Sequence, residues 1–337
     1  MPTQDGSRTN FLGSAISETT FGTDPSAGSW PSSWQAFRKL EIMPKYDEEV
    51  EERATYHNTA EPITPIPSRC DVTGEVPLLP QSDDGEDSPH NAILLAAGMA
   101  KLVSAGDVRY QLQSLDDMAT TPSATFIKAK LSANDDEARK YIARGTKLKQ
   151  LALTLETKKE GFYSFQGEGL FDAHPTSWET APSVPTAYSG DARAYKLASI
   201  ALVFDGTTYR IRKIVISTNQ DLDPDDSGED GKGTRRYHHR GRPTNGAAAA
   251  GGSFDLEGGS AALLDIYAKY PAGTIGQLVA TVSNGTRDVE VLSEYVQLGD
   301  PSIGGNLIEK LSVPFRCVRG VNSAGDHDWQ VLYKNAA

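Results

Sequence analysis

The sequence predicts a mainly β protein made of two tandem β-sandwich or β-barrel units, each carrying one short flanking α-helix. Three observations lead there. Apolar residues recur with a period of two in segment after segment, the mark of half-buried strands. Glycine and proline are frequent, 31 and 19 of the 337 residues, which favours short strands and turns over a helical bundle. Two corresponding stretches share a Tyr-His pair with a proline six residues after the tyrosine: Tyr56, His57 and Pro62, then Tyr237, His238 and Pro243. Each pair lies between an early strand and a glycine-led strand (Gly74-Glu75-Val76 and Gly252-Ser253-Phe254), and a serine-capped helix follows in both. Order and spacing together read as an internal repeat.

Taken in order, residues 1–37 form an extended amino-terminal arm, polar and poor in aliphatic residues but carrying Phe11, Phe21, Trp30 and Trp34. Such a segment either orders against another surface through its rings or frays as a tail. The first β unit occupies residues 38–172. Its expected strands are Leu40 and Ile42 with their neighbours, then 50–57, 72–79, 108–112, 125–131, 148–155 and 162–166. Ser88 and Pro89 read as the N-cap and first position of a helix over 89–102, after the acidic loop 82–87. Residues 173–192, with Pro175, Pro182 and Pro185, read as a linker. The second β unit covers 193–337. Strands at 199–203 and 208–216 flank Asp205-Gly206, a dipeptide suited to a type I′ hairpin turn. A long charged loop over 221–251 leads to a strand at 254–256 and to a helix over 260–270, capped by Ser260 and stopped by Pro271. Its apolar face holds Leu263, Ile266, Tyr267 and Tyr270. Strands at 275–282, 289–296, 307–315 and 329–333 complete the unit.

With 33 Lys and Arg against 45 Asp and Glu, the chain carries a formal charge of −12. That excludes a protein holding nucleic-acid phosphates by bulk positive charge. The longest apolar run, residues 92–100, is far too short to span a bilayer, and the first residues lack the pattern of a secretory signal. Synthesis in the cytoplasm and no membrane partner are the expectation. Cys70 and Cys317 show neither disulfide-framework nor metal-ligand spacing, so two reduced, packed thiols are expected.

No motif carries chemistry. The run Asp221-Leu222-Asp223-Pro224-Asp225-Asp226 invites a calcium reading, but the calcium loop needs Gly at 226 and Glu at 232, where Asp and Lys stand. Gly231-Lys232-Gly233 lacks the Ser or Thr that a phosphate loop places after its lysine. Gly167-Glu168-Gly169 lacks the last glycine of a dinucleotide fingerprint. His238 and His239 sit among Arg235, Arg236, Arg240 and Arg242, with no cysteine nearby in sequence to complete a metal site. No serine, cysteine or threonine occupies a nucleophile elbow. No cofactor, no metal and no enzyme activity are expected. Opposed charges in one long loop suit either a solvated, self-neutralising excursion or a contact between subunits.

The residues resemble the major tail tube proteins of long-tailed, siphovirus-like bacteriophages. The resemblance rests on residues 40–52, where a strand, Pro44 and an acidic run follow one another, on Gly74-Glu75-Val76, and on 148–172, with alternating leucines, Phe162-Tyr163-Ser164-Phe165 and Gly169-Leu170-Phe171. In the second half it rests on 211–219, 252–256, the helix and 307–315. It implies a structural virion protein: subunits form rings, rings stack, and strands from each subunit close a β-barrel around a lumen that delivers DNA without binding it. Two units per chain then imply a trimeric ring acting as a pseudo-hexamer, with a hexamer if the repeat is illusory. The implied partners are further copies of the chain, tail terminator and baseplate or tail-tip proteins, and a tape measure protein in the lumen. The implied location is the virion tail, with the host cytoplasm during assembly. Negative charge lining the lumen would repel phosphates. Candidate contacts between subunits or rings are Trp30, Trp34, Asp83, Asp84, Asp221, Asp223, Asp225, Asp226, Arg235, Arg236, His238, His239 and Arg240. A carbohydrate-binding or adhesive β-sandwich, or another tail or baseplate component, is the alternative.

Overall fold

The structure is a computed structural model that describes residues 11–45, 69–79, 90–104, 107–113, 121–132, 136–171, 177–183, 200–225, 236–241, 250–256, 260–283, 288–304, 310–318 and 329–334. The first half contains β1 (Phe11–Ser17), β2 (Lys39–Lys45), β3 (Arg69–Pro77), α1 (Asn91–Ala96), β4 (Met99–Ser104), β5 (Asp107–Leu112), β6 (Ala124–Leu131), β7 (Glu137–Glu156), β8 (Phe162–Phe171) and the short β9 (Glu179–Thr180). The second contains β10 (Ile200–Phe204), β11 (Thr207–Asn219), β12 (Asp221–Asp225), β13 (Arg236–Gly241), β14 (Ala250–Leu256), α2 (Ser260–Lys269), β15 (Ile275–Ser283), β16 (Asp288–Leu298), β17 (Ser302–Gly304), β18 (Lys310–Cys317) and β19 (Gln330–Tyr333). The described chain is mainly β with two short helices, as the period-two pattern predicts.

Six strands close a barrel in the order β10, β11, β14, β18, β16, β15 and back to β10. Alternation explains the closure: along β11, Ile211, Ile214 and Ile216 are buried while Arg210 and Arg212 are exposed, so one apolar face must be covered. The first half repeats these pairings strand for strand. There β1 pairs β6, β6 pairs β7, β7 pairs β8, β8 pairs β3 and β3 pairs β2. The helix follows β3 in one half and β14 in the other. Among the described residues β1 and β2 do not pair; Gly13 of β1 instead makes an isolated bridge to Gln35, ahead of β2, and the first half also carries the hairpin β4–β5.

One detail recurs in both halves. Gly74 lies opposite Phe165, and a Cβ there would stand 2.4 Å from the phenyl ring. Gly252 lies opposite Phe315, and a Cβ there would stand 3.0 Å from that ring and 1.9 Å from the Val215 carbonyl oxygen. An aromatic ring lies over a glycine at matching rungs of the two sheets.

The halves are laced together along two lines. β7 pairs antiparallel with β11 over seven rungs, from Lys213–Glu156 to Asn219–Gln150. β19 fills the gap between β5 and β16. One continuous apolar cluster runs through both halves. At its centre the Tyr163 and Tyr333 hydroxyls lie 2.9 Å apart, and the wholly buried His90 packs edge-on to Tyr163 while its Nε2 accepts the Leu79 N–H at 3.1 Å. Burial pulls the His90 pKa down to about 3, so the ring is neutral.

The expected helix over 89–102 is corrected. It ends at Ala96, and Met99–Ser104 is a strand. Gly98, at φ 80°, reverses the chain as a C-terminal glycine does. The residue before the helix is His90 with no side-chain cap bond, rather than Ser88. The hairpin turn agrees with its prediction, since Asp205 and Gly206 both have positive φ, 48° and 73°. The expected strand over 50–57 and the acidic loop lie outside the described residues.

Residues 11–45 pack on their own chain. β1 extends the sheet beside β6, and the turn after it is held by Glu18, which is 4 % exposed. Its Oε1 accepts from Thr125 Oγ1 at 2.6 Å and the Gly145 N–H at 2.7 Å; its Oε2 accepts from Ser123 Oγ at 2.5 Å and the Gly22 N–H at 2.8 Å. Lys147, buried nearby, donates to the Thr121 carbonyl and hydroxyl. Burial lowers its pKa to about 8 against the opposing pull of Glu18.

Candidate assembly surfaces

The registers join β2, β3, β8, β7, β11, β14 and β18 into one sheet across the chain, with β17 and the end of β16 beside β18. A single row crosses all of it, Lys39, Glu75, Ser164, Ala152, Ser217, Gly251, Arg316 and Gln297, each residue opposite the next. Residues in one row share a face. The opposite face is core: Val72, Tyr163, Leu153, Ile216 and Val313 are buried. The row's own face is polar and partly exposed, with small residues (Ser164, Ala152, Ser217, Gly251) over the middle strands.

Charges of both signs share it: Lys39, Lys45, Arg69, Lys149, Lys213 and Arg316 lie among Glu41, Asp71, Glu75, Glu156, Glu168 and Asp255. Lys45 Nζ lies 2.7 Å from Asp71 and 4.0 Å from Glu168, Lys149 Nζ lies 3.3 Å from Glu168, and Lys39 Nζ lies 3.5 Å from Glu41. Partly exposed pairs of this kind add little stability, but they cancel one another's field.

The two outer strands of this sheet are each paired on one side among the described residues, β2 to β3 and β17 to β18. Pro44 and Lys39 on β2, and Pro301 beside β17, are devices that keep open edges from pairing indiscriminately.

From one rim of the sheet, where Thr218 faces Ala250, the long charged loop leaves as a hairpin. β12 and β13 pair with Asp223 opposite His238, Pro224 opposite Tyr237 and Asp225 opposite Arg236. So the acidic and basic runs read as opposed blocks lie on two facing strands, beside β7. The backbones of Asp221, Asp223, Asp225, Arg236, His238, His239 and Arg240 lie on this hairpin. Asp83, Asp84, Asp226 and Arg235 fall outside the described residues. Sequence reading took the whole segment for a loop, because charged strands without an apolar face carry no period-two signal.

The tryptophans lie elsewhere. Trp34 is 4 % exposed and packs with Leu12, Ala129 and Ala138; Trp30 tilts beside it with ring centroids 6.1 Å apart. Trp30 Nε1 donates to the Thr180 carbonyl at 3.2 Å, and the Lys140 ammonium stands over its ring. These contacts tie the amino-terminal segment to β9 and β7 of the same chain. Sequence reading missed the one-sided pairing of β2 and β17 among the described residues and the mixed-charge face, since both depend on which strands become neighbours.

No cluster of three or more His, Cys, Asp or Glu positioned for a metal occurs among the described residues. Both cysteines are buried, and burial pushes the Cys70 thiol up to about 12, so it is held protonated. No helix of the described residues is long and apolar enough to cross a membrane.

The family model described as phage tail tube protein matches residues 8–317, nearly the whole chain. No curated protein matches it.

Proposed function

From the premise that the chain belongs to the phage tail tube proteins, and is therefore a structural protein of the virion tail, we propose that it polymerises as stacked rings into the tube through which genomic DNA passes. The observation that carries this reading is the continuous sheet from β2 to β17, with one face in the core and the other polar and of mixed charge, and with β2 and β17 each paired on one side among the described residues. Edges of this kind are stable when they meet one another, and a ring of such sheets leaves none. The polar face lines the lumen. Acidic and basic side chains are interspersed on it, so no continuous positive patch grips the phosphates of passing DNA.

The matching order of pairings in the two halves supports two tube units per chain, and hence three chains per ring. Rings stack through the rim, where the β12–β13 hairpin leaves the sheet with its carboxylates, arginines and histidines. The tube meets terminator and tail-tip proteins at its ends and a tape measure protein inside during assembly. The chain performs no chemistry.

Electron microscopy of the purified chain at high concentration tests this. Stacked rings with an open lumen and threefold averages are the expected result. Sixfold averages would discard the two-unit count, and a chain that stays monomeric at every concentration would overturn the tube. Deleting residues 221–243 should leave the fold intact and abolish stacking; normal tubes from that variant would remove the hairpin from the ring-to-ring contact.

A further inference from the structure

The seam between β7 and β11 joins the first sheet unit to the second inside one chain. We infer that the same seam, in the same register, joins the open edge of β2 to the edge formed by Leu298 and β17 in a second copy of this chain. The inference rests on the tube reading above, and it names the residues that meet.

The correspondence between halves fixes the register. Gly74 faces Leu40 and Phe165; Gly252 faces Ile216 and Phe315. Leu40 therefore stands where Ile216 stands. Leu151 lies opposite Phe165, and Leu298 lies opposite Phe315, so these two correspond. Likewise Thr154 faces Phe162 and Ser302 faces Ser312, which places Ser302 at the position of Thr154 with one extra residue between 298 and 302.

Within the chain, Val215 faces Thr154 and Thr218 faces Leu151. Carried across, Lys39 of one copy faces Ser302 of the next and Ile42 faces Leu298, where the seam stops, because Gln297 already pairs Ile275 of β15. The Thr157 N–H donates to the Arg212 carbonyl and the Gln220 N–H to the Lys149 carbonyl, both at 2.8 Å. Alternation along an antiparallel ladder then makes Leu153–Ile216 a hydrogen-bonded rung and Thr154–Val215 a non-bonded one. At the seam between copies, Pro301 holds the place of Leu153 and offers no N–H, so that rung has one hydrogen bond rather than two. Lys39–Ser302 inherits the non-bonded geometry, where Cα atoms stand about 4.5 Å apart and side chains meet most closely.

The test is a cross-link in the full chain carrying Lys39→Cys and Ser302→Cys. Cys70 and Cys317, 1 % and 5 % exposed, stay out of the reaction. Mild oxidation of assembled protein should give a ladder of covalent multimers that stops at one ring. Met43→Cys with Ser302→Cys, four residues out of register and so roughly 13 Å apart, should give none. Single variants co-assembled with the unmodified chain give a cross-linked dimer and keep the readout where the double variant assembles poorly. Rings visible by microscopy in which Lys39→Cys and Ser302→Cys stay unlinked would overturn the seam and leave the tube standing. Absence of rings from the unmodified chain would overturn both.

Discussion

Replacing Glu18 by glutamine removes one charge and almost no volume, so the cost measures what the carboxylate holds together. Each of its oxygens accepts one hydroxyl and one backbone N–H, at 2.5–2.8 Å. Whichever oxygen becomes the amide NH2, two donors are then met by donors. The hydroxyl can turn away, whereas the Gly22 or Gly145 N–H cannot. Hydrogen bonds to a charged acceptor contribute about 1.5–3 kcal/mol each, and a buried donor left facing a donor costs about 1–3 kcal/mol. Two bonds lost and two weakened give a destabilisation of about 3–5 kcal/mol for Glu18→Gln. Urea unfolding of the unassembled chain, followed by tryptophan fluorescence, reads it directly. Because Gly145 is on β7 and Ser123 lies just before β6, the loss should also free the amino-terminal segment to early proteolysis. A Glu18→Gln chain within about 1 kcal/mol of the original would show that the cluster is incidental to the fold.

Two further outcomes follow from the core. The folded pKa of His90, about 3, lies below its ordinary value of 6.5, so the unfolded chain takes up the proton first. The stability is whole above pH 6.5 and falls as pH drops towards 3, by about 1.4 kcal/mol per pH unit. Between pH 7 and pH 5, His90→Gln should therefore lose about 2 kcal/mol less than the original chain, and parallel pH profiles would contradict the buried neutral ring. Gly252→Ala and Gly74→Ala both overpack the sheet, typically by about 1–3 kcal/mol. Gly252→Ala should cost more, since a rigid carbonyl blocks its Cβ where a phenyl ring blocks that of Gly74. Thermal melts in the reverse order would count against the equivalence of the two glycines.

Much of the fold is legible in the chain because its strands alternate. Leu151, Leu153 and Leu155 announce β7, and Asp205-Gly206 announces the β10–β11 turn. What escaped has identifiable causes. β1 buries Leu12, Gly13, Ser14 and Ala15 in succession, so small residues on both faces erase the alternation. Gly98 ends α1 early, yet the apolar residues beyond it, Met99, Leu102 and Val103, continue a pattern that reads as helix. β7 runs for 20 residues, through Gly145 at φ 59° and irregular registers near Lys147 and Lys149, and that central part shows no clean period. The repeat was visible only in a few identities, whereas in space it appears as matching neighbours for six strands. The one-sided pairing of β2 and β17 could not be read at all, because a strand becomes an edge through what fails to lie beside it.

The two lines of lacing have a mechanical consequence. A body joined to its twin along one line can swing about it; joined along two, as here by β7–β11 and by β19 between β5 and β16, it cannot. The angle between the two sheet units is then a fixed property of each molecule, set when it folds. In the proposed tube, every chain would bring a ready-made arc to its neighbours, and the bore would be decided before any two chains touch.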